Sequence, residues 1–365
     1  GPGSYPRLVG VLARKQSSPC RCAVGSNVKL GALHPLPGHL INSCSPTPTP
    51  PGTPLRTPPP PGPPAPDAGP GAPDFLQFTQ FHVTPNCAPT RAALLSGMDP
   101  HKAGLGTMAE VMSPNQEGNP GYEGYLNTRL VTVAEVLSTP GYHTYMAGKW
   151  HLGAKDPAMY PHARGFEETF AMLAGGASHW ADNRPLIPGK ASQYTRNGKI
   201  IQDLPPNFYS TKTYTDRMIG FIDKNKKDKK PFFGYLAYTA PHNPLHAPKA
   251  YTNKYKGWYD DGWDILREKR LKRLKSMGLV PESMVDHPRE EWIQAWNQLT
   301  DEQRKNRARD MEIYAAMIDY MDESIGRLFR YLKSIGEYEN TLIIFFSDNG
   351  ASKTTIEDYA DIGGD

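Results

Sequence analysis

Beyond Phe75 the chain carries three apolar runs of strand length, and each breaks off abruptly into polar residues. They are "YHTYMA" (Tyr142–Ala147) before "GKWHLG", "PFFGYLAYT" (Pro231–Thr239) before "APHNPL", and "TLIIFFS" (Thr341–Ser347) before "DNGAS". The last is apolar on both faces, the pattern of a strand in a sheet covered on both sides. Helical spacing fills the intervals and is clearest from Thr300 to Ile335. There Met311, Tyr314, Ile318, Met321, Ile325, Leu328 and Leu332 recur at three- and four-residue steps as one core-facing stripe. Thr300 and Gln303 predict a capping box at its start, and Gly336 predicts its stop. Strands alternating with helices predict an α/β sandwich, in which ligands sit beyond the carboxyl ends of the strands. Those ends deliver Lys149 and His151, then His242, then Asp348 and Asn349. A single histidine or a "DNG" turn says little; their joint placement at one sheet edge is what points to a site.

Residues 1–73 read differently. "SPTPTPPGTPLRTPPPPGPPAPDAGPGAP" removes backbone donors and fixes φ, so neither helix nor sheet is expected from it. The pattern predicts a disordered, polyproline II or non-native segment over 1–73 and a globular domain over 74–365. "LVGVLA" is too short for a signal sequence, and no apolar run approaches the ~20 residues of a membrane span. The expectation is a soluble chain with no membrane partner, cytoplasmic as written. A formal charge of +4, from 41 basic and 37 acidic residues, is too balanced to argue for nucleic acid. The run "DKNKKDKK" (Asp223–Lys230) reads as a solvated loop. Of the cysteines Cys20, Cys22, Cys44 and Cys87, none forms a C-x-x-C pair, which leaves a zinc ribbon unsupported.

Cys87 stands apart from the other three, in "TPNCAPTRAALLSG" (Thr84–Gly97). Pro89 suits a first helical turn, "TRAALLSG" reads as that helix with a glycine stop, and Cys87 falls at its N-terminus. Free N–H groups and the helix dipole favour an anion there, and Arg91 one turn on can face the same anion. An inert buried cysteine is the default reading of a lone thiol; a reactive thiolate is the alternative.

The string C-A-P-T-R-A-A-L-L-S-G resembles the C-x-P-S/T-R signature of the formylglycine-dependent sulfatases, within the alkaline-phosphatase-like superfamily. "GKWHLG", "APHNPL" and "FSDNG" are similar to further motifs of that family, in the same order. "TRAALLSGMDPHKAGLGTMAEVM" and "PHARGFEETF" resemble its bacterial and fungal arylsulfatase branch. The likeness runs from about Phe75 to about Ser352. It implies a mostly parallel central sheet flanked by helices, and oxidation of Cys87 to formylglycine by a separate formylglycine-generating enzyme. In the mechanism so implied, one hydroxyl of the hydrated aldehyde attacks sulfur and displaces the alcohol. The second loses its proton and expels sulfate. His242 matches the residue that binds sulfate and protonates the leaving oxygen, and His151 the one that contacts the hydrate and assists elimination. Lys149 and Arg91 match the cations that hold sulfate oxygens. Asp348, Asn349 and the modified Cys87 match ligands of one calcium ion. The implied substrate is a sulfate ester. Phosphodiesterases and phosphonate monoester hydrolases share the signature, and a non-catalytic domain that keeps the fold is a third reading.

Two departures from the family pattern shape the expectations. The family's first strand ends in an Asp-Asp pair that binds the metal. Here the corresponding region offers only Asp67 and Asp74, and Asp260–Asp261 comes far too late. The sequence also stops at Asp365, without a further sulfate-binding lysine, the last strands of the sheet or a C-terminal antiparallel subdomain; Lys353 lies too close to "DNGAS" to be that lysine. The sequence therefore predicts a truncated sheet lacking its first strand, a calcium site with one carboxylate of three, and impaired activity.

Overall fold

The computed structural model describes residues 7–14, 76–78, 80–186, 192–228 and 230–350. The proline tract, Cys20, Cys22, Cys44, Asp67, Asp74 and Lys353 lie outside the described residues. Strands β1 (Arg7–Arg14), β2 (His143–Lys149), β3 (Glu168–Met172), β4 (Tyr194–Arg196), β5 (Lys199–Ile201), β6 (Phe232–Ala237) and β7 (Thr341–Asn349) form one sheet of order β5-β4-β3-β2-β6-β1-β7. The three strands expected from the apolar runs are β2, β6 and β7. β2 runs parallel to both β3 and β6, while β4 and β5 continue the β3 edge as antiparallel strands. The sheet is thus mixed, but β2, β3, β6 and β7 share one direction and end at one edge.

Helices α1 (Cys87–Ser96), α2 (Val133–Ser138), α3 (Ser210–Asn225), α4 (Lys249–Thr252), α5 (Gly262–Ser276) and α6 (Asp301–Ser334) complete the described elements. Alternation along the strands sorts two cores. Tyr145, Ala147, Phe170, Phe232 and Leu236 face α3 and α6, where they bury Tyr214, Met218, Met321 and Leu328. Met146, Ala171, Phe233, Tyr235 and Ala237 face the other way, against Ala88, Ala92 and Leu95 of α1. This period-two split between two covered faces is why the strands read as unbroken apolar runs. In α6, Gln303 N–H donates to Thr300 Oγ1 at 3.2 Å and Thr300 N–H donates to Gln303 Oε1 at 2.9 Å, the predicted capping box. Gly336 takes the left-handed conformation that stops the helix, at φ 72°. Six of the seven stripe residues are buried, and Tyr314 is half-buried.

One expectation fails. β1 lies within 1–73, where no strand was expected, and it fills the position between β6 and β7 in antiparallel register with both. Its sequence "RLVGVLAR" is the apolar run weighed above only as a signal sequence. The strand satisfies backbone groups that β6 and β7 would otherwise expose. The gap expected in the sheet is therefore closed, but by a strand without an acidic residue. No helix among the described residues is long and apolar enough to cross a membrane.

Gly148 sits where β2 meets β6, at φ 121°, and a Cβ there would lie 2.0 Å from the Ala237 carbonyl oxygen. Gly148→Ala should therefore cost about 3 kcal/mol or more in a urea melt. A loss under 1 kcal/mol would mean that the β2–β6 register adapts.

Candidate active site

The site is built from α1 upward. Asn86 precedes the helix in extended conformation, Cys87 is its first residue, and Gly97 closes it at φ 67°. Pro89 and Ala92 pack inward, so the turn that carries Cys87 and Arg91 is sealed under the ends of β2, β6 and β7. Cys87 is 1% exposed. Its sulfur lies 3.1 Å from His151 Nδ1 and 3.6 Å from Met108 Sδ. His151 holds a left-handed backbone at φ 60°, unusual for a side chain with a Cβ and found where a site over-determines the conformation.

Behind His151 stands Glu110, on a short 3₁₀ turn at Ala109–Val111. Glu110 Oε1 is 2.7 Å from His151 Nε2. A carboxylate only accepts, so Nε2–H donates to it, and in the neutral ring Nδ1 faces the sulfur as the acceptor nitrogen. Burial works to raise the Glu110 pKa, but the bond from His151 and the charge of nearby Lys149 outweigh it, and it falls to about 2. Burial likewise opposes the charged form of His151; Cys87 and Glu110 more than offset this, and its pKa moves up.

His242 enters on the loop after β6 and is 7% exposed. Its Nδ1–H donates to the Asn243 carbonyl at 2.7 Å, leaving Nε2 as the outward nitrogen. Its own carbonyl accepts from His179 Nε2–H at 2.9 Å, while Ser210 Oγ–H donates to His179 Nδ1 at 2.7 Å. Burial pulls the His179 pKa down to about 4, so His179 serves as a neutral strut. Gly175 and Gly176 join the two histidines. A Cβ on Gly175 would meet His151 Cε1 at 2.7 Å and Glu110 Oε1 at 2.8 Å, and one on Gly176 would meet His242 Cε1 at 3.2 Å. The loop after β3 can line both imidazoles only because it is glycine there.

Arg91 and Asp348 form the floor. Arg91 Nε donates to Asp348 Oδ2 at 2.7 Å, and their side chains are 1% and 0% exposed. Arg91 Nη1 donates to the Lys149 carbonyl at 2.6 Å and to Tyr235 Oη at 3.3 Å. Burial works against the guanidinium charge, but Tyr235, Asp348 and Cys87 hold the proton and shift its pKa upward. Lys149 is buried at the end of β2, close enough to influence both Glu110 and His151. Asn349 Nδ2 donates to the Gly350 carbonyl at 2.7 Å, and its buried Oδ1 accepts no hydrogen bond among the described residues.

The structure thus gathers Cys87, Arg91, Lys149, His151, His242, Asp348 and Asn349 at one sheet edge. Asp260 and Asp261 are exposed and lie away from it, with Asp261 paired to Lys269. Sequence reasoning missed Glu110, Tyr235, His179 and the glycine pair. "GTMAE" and "AGGASH" carry no apolar period; an acid beside small residues and a Gly-Gly step before histidine were the available signals.

A calcium ion does not fit the described residues. Of the acids there, Asp348 is bound to a guanidinium and Glu110 to His151, and among the described residues no group of three or more His, Cys, Asp or Glu side chains is arranged to hold a metal. Opposite Asn349, β1 places Arg7 in register. The aldehyde derived from a cysteine does fit Cys87, since His151 Nδ1 already stands as an acceptor beside the side chain.

A buried helix entrance, two imidazoles and buried cations thus meet at one sheet edge. The sulfatase family model matches residues 65–360, and the chain belongs to that family. It is 45% identical over 296 residues to an uncharacterised sulfatase of Schizosaccharomyces pombe, covering 78% of this chain and 53% of the relative. It is 40% identical over 279 residues to the arylsulfatase of Klebsiella aerogenes, covering 76% and 59%. Among solved structures, that of Ps i-CgsB with k-i-k-neocarrahexaose matches at 24% identity and a TM-score of 0.45, over 69% of this chain and 46% of its own. The chain spans a little over half the length of these two curated relatives.

Two measurements test the site's electrostatics. Arg91→Met leaves Asp348 buried without its guanidinium and should cost about 3–5 kcal/mol; adding Asp348→Leu should recover much of that. Equal losses in both variants would deny the pair its role. The Glu110 pKa is lower folded than its ordinary value of 4.5, so its contribution is full above 4.5 and disappears as pH falls towards about 2. The melting-temperature gap between wild type and Glu110→Gln should close over that window.

Proposed function

We propose that this chain carries the catalytic part of a sulfuric ester hydrolase of arylsulfatase type, with residues 74–365 as a partial catalytic domain. The observation that supports this most strongly is Cys87 at the first position of α1, with His151 Nδ1 at 3.1 Å and Arg91 on the next turn. Converted to formylglycine by a formylglycine-generating enzyme, the Cys87 side chain supplies, when hydrated, a nucleophile with two hydroxyls. His151 accepts a proton at Nδ1 while Glu110 holds its other nitrogen. His242, as an imidazolium, presents Nε2–H to the leaving oxygen and gives it that proton while Nδ1–H stays on the Asn243 carbonyl. Lys149 binds ester oxygens, and the Arg91–Asp348 unit sets the potential beneath them.

The resemblance implies one calcium ion, and the donor set among the described residues falls short of it, so sulfate-ester turnover by this chain should be weak. The alternative substrate, a phosphodiester or phosphonate monoester, presents a similar tetrahedral anion to the same groups.

The reading is tested by co-expression with a formylglycine-generating enzyme, mass analysis of the Cys87 peptide, and turnover of 4-nitrophenyl sulfate. The thiol should convert, a slow turnover should appear, and Cys87→Ala should abolish it. His242→Ala should lower it about 10²–10⁴-fold. Conversion with no turnover on sulfate or phosphate esters would instead favour a non-catalytic anion-binding domain. Rapid turnover matching a family member with its Asp-Asp strand would show that the missing ligands matter little.

A further inference from the structure

Glu110 is out of place in a cleft that must attract an anion. Its carboxylate is 29% exposed and stands one imidazole ring away from Cys87, joined through His151 by contacts of 2.7 and 3.1 Å. A tetrahedral anion docked against Cys87 therefore lies within about 10 Å of it, no further than a Debye length at ordinary ionic strength. The other carboxylate of the site, Asp348, is answered at once by the Arg91 guanidinium. Glu110 instead contacts an imidazole, with Lys149 acting on it only through space, so where His151 is neutral its charge extends into the cleft. It is also sterically fixed there, because Gly175 leaves room for it and for His151 and nothing more.

We infer that Glu110 is a charge filter that selects monoanionic esters over dianionic ones, and so sulfate monoesters over phosphate monoesters. The inference rests on the anion site proposed above. A sulfate monoester carries one negative charge. A phosphate monoester carries close to two above neutral pH, its second pKa being about 6. The two are alike in shape, so pocket volume discriminates poorly between them, whereas a fixed negative charge repels the dianion about twice as strongly. Phosphodiesters and phosphonate monoesters are monoanions and pass the same filter. Lys149 and Arg91 attract every one of these anions, and Glu110 sets the difference among them.

The test is equilibrium binding, so it does not depend on conversion of Cys87 or on turnover. Unconverted chain is titrated with 4-nitrophenyl sulfate and, separately, 4-nitrophenyl phosphate by calorimetry at pH 8. Glu110→Gln keeps an oxygen to accept His151 Nε2–H and raises the charge of the site by one where His151 is neutral in both proteins, as a titration repeated at higher pH verifies. Glu110→Ala serves as a second variant, and thermal melts verify that each is folded. Wild type should bind the sulfate ester more tightly. Both variants should shift the phosphate-to-sulfate affinity ratio towards phosphate by roughly tenfold, and added salt should shrink that shift. An unchanged ratio in the two variants, with both esters bound, overturns the filter and leaves the anion site standing. If wild type binds neither ester, the anion site itself fails and the filter with it.

Discussion

The buried ion pair between Arg91 and Asp348 ties the site together. Each group loses its water on folding, a cost that a lone pair in a dry interior often fails to recover. Here the guanidinium also donates to the Lys149 carbonyl and to Tyr235. One cation therefore links α1 to the ends of β2, β6 and β7. Those are the ends that carry Lys149, His151, His242 and Asp348. If α1 moves, Cys87 leaves His151 and the floor of the cleft opens at once. The resemblance implies that Arg91 holds sulfate oxygens; in the structure its Nε and Nη1 also bind the protein.

Above that floor the two histidines are fixed by different means. His151 is held by a carboxylate and by a strained backbone, and His242 by its neighbour's carbonyl and by a neutral His179 pressing on its own carbonyl. Both arrangements fix which ring nitrogen faces the cleft before any ligand arrives. Preorganisation of this kind lets polar groups act without reorienting at the moment of reaction. Gly175 and Gly176 are its steric condition, since any side chain there would displace one ring or the other.

The sheet shows how folding and chemistry separate. β1 completes the hydrogen bonding of β6 and β7 with leucine and valine, so the sheet is continuous. A strand in that position meets the backbone's needs whatever its side chains. Metal chemistry asks for particular acids at the strand end, and "RLVGVLAR" has none.

Much of this was legible along the chain. α6 follows from its three-and-four spacing, Thr300, Gln303 and Gly336, because helix periodicity and capping are local. β2, β6 and β7 follow from apolar runs that end in polar motifs; five of the seven site residues follow from those motifs, and Cys87 and Arg91 from the helix entrance at Thr84–Gly97. β1 escaped because a short apolar run ahead of a proline tract has no local mark of the two strands it will join. Glu110, Tyr235 and His179 escaped for a related reason. Glu110 stands 41 residues from His151, and His179 stands 63 from His242. The sequence by itself determined which side chains would stand at the strand ends, since that depends on period and order. Only the tertiary structure decided what stands behind each of them, because a hydrogen-bond partner is chosen by distance in space, and distance in space is set by packing.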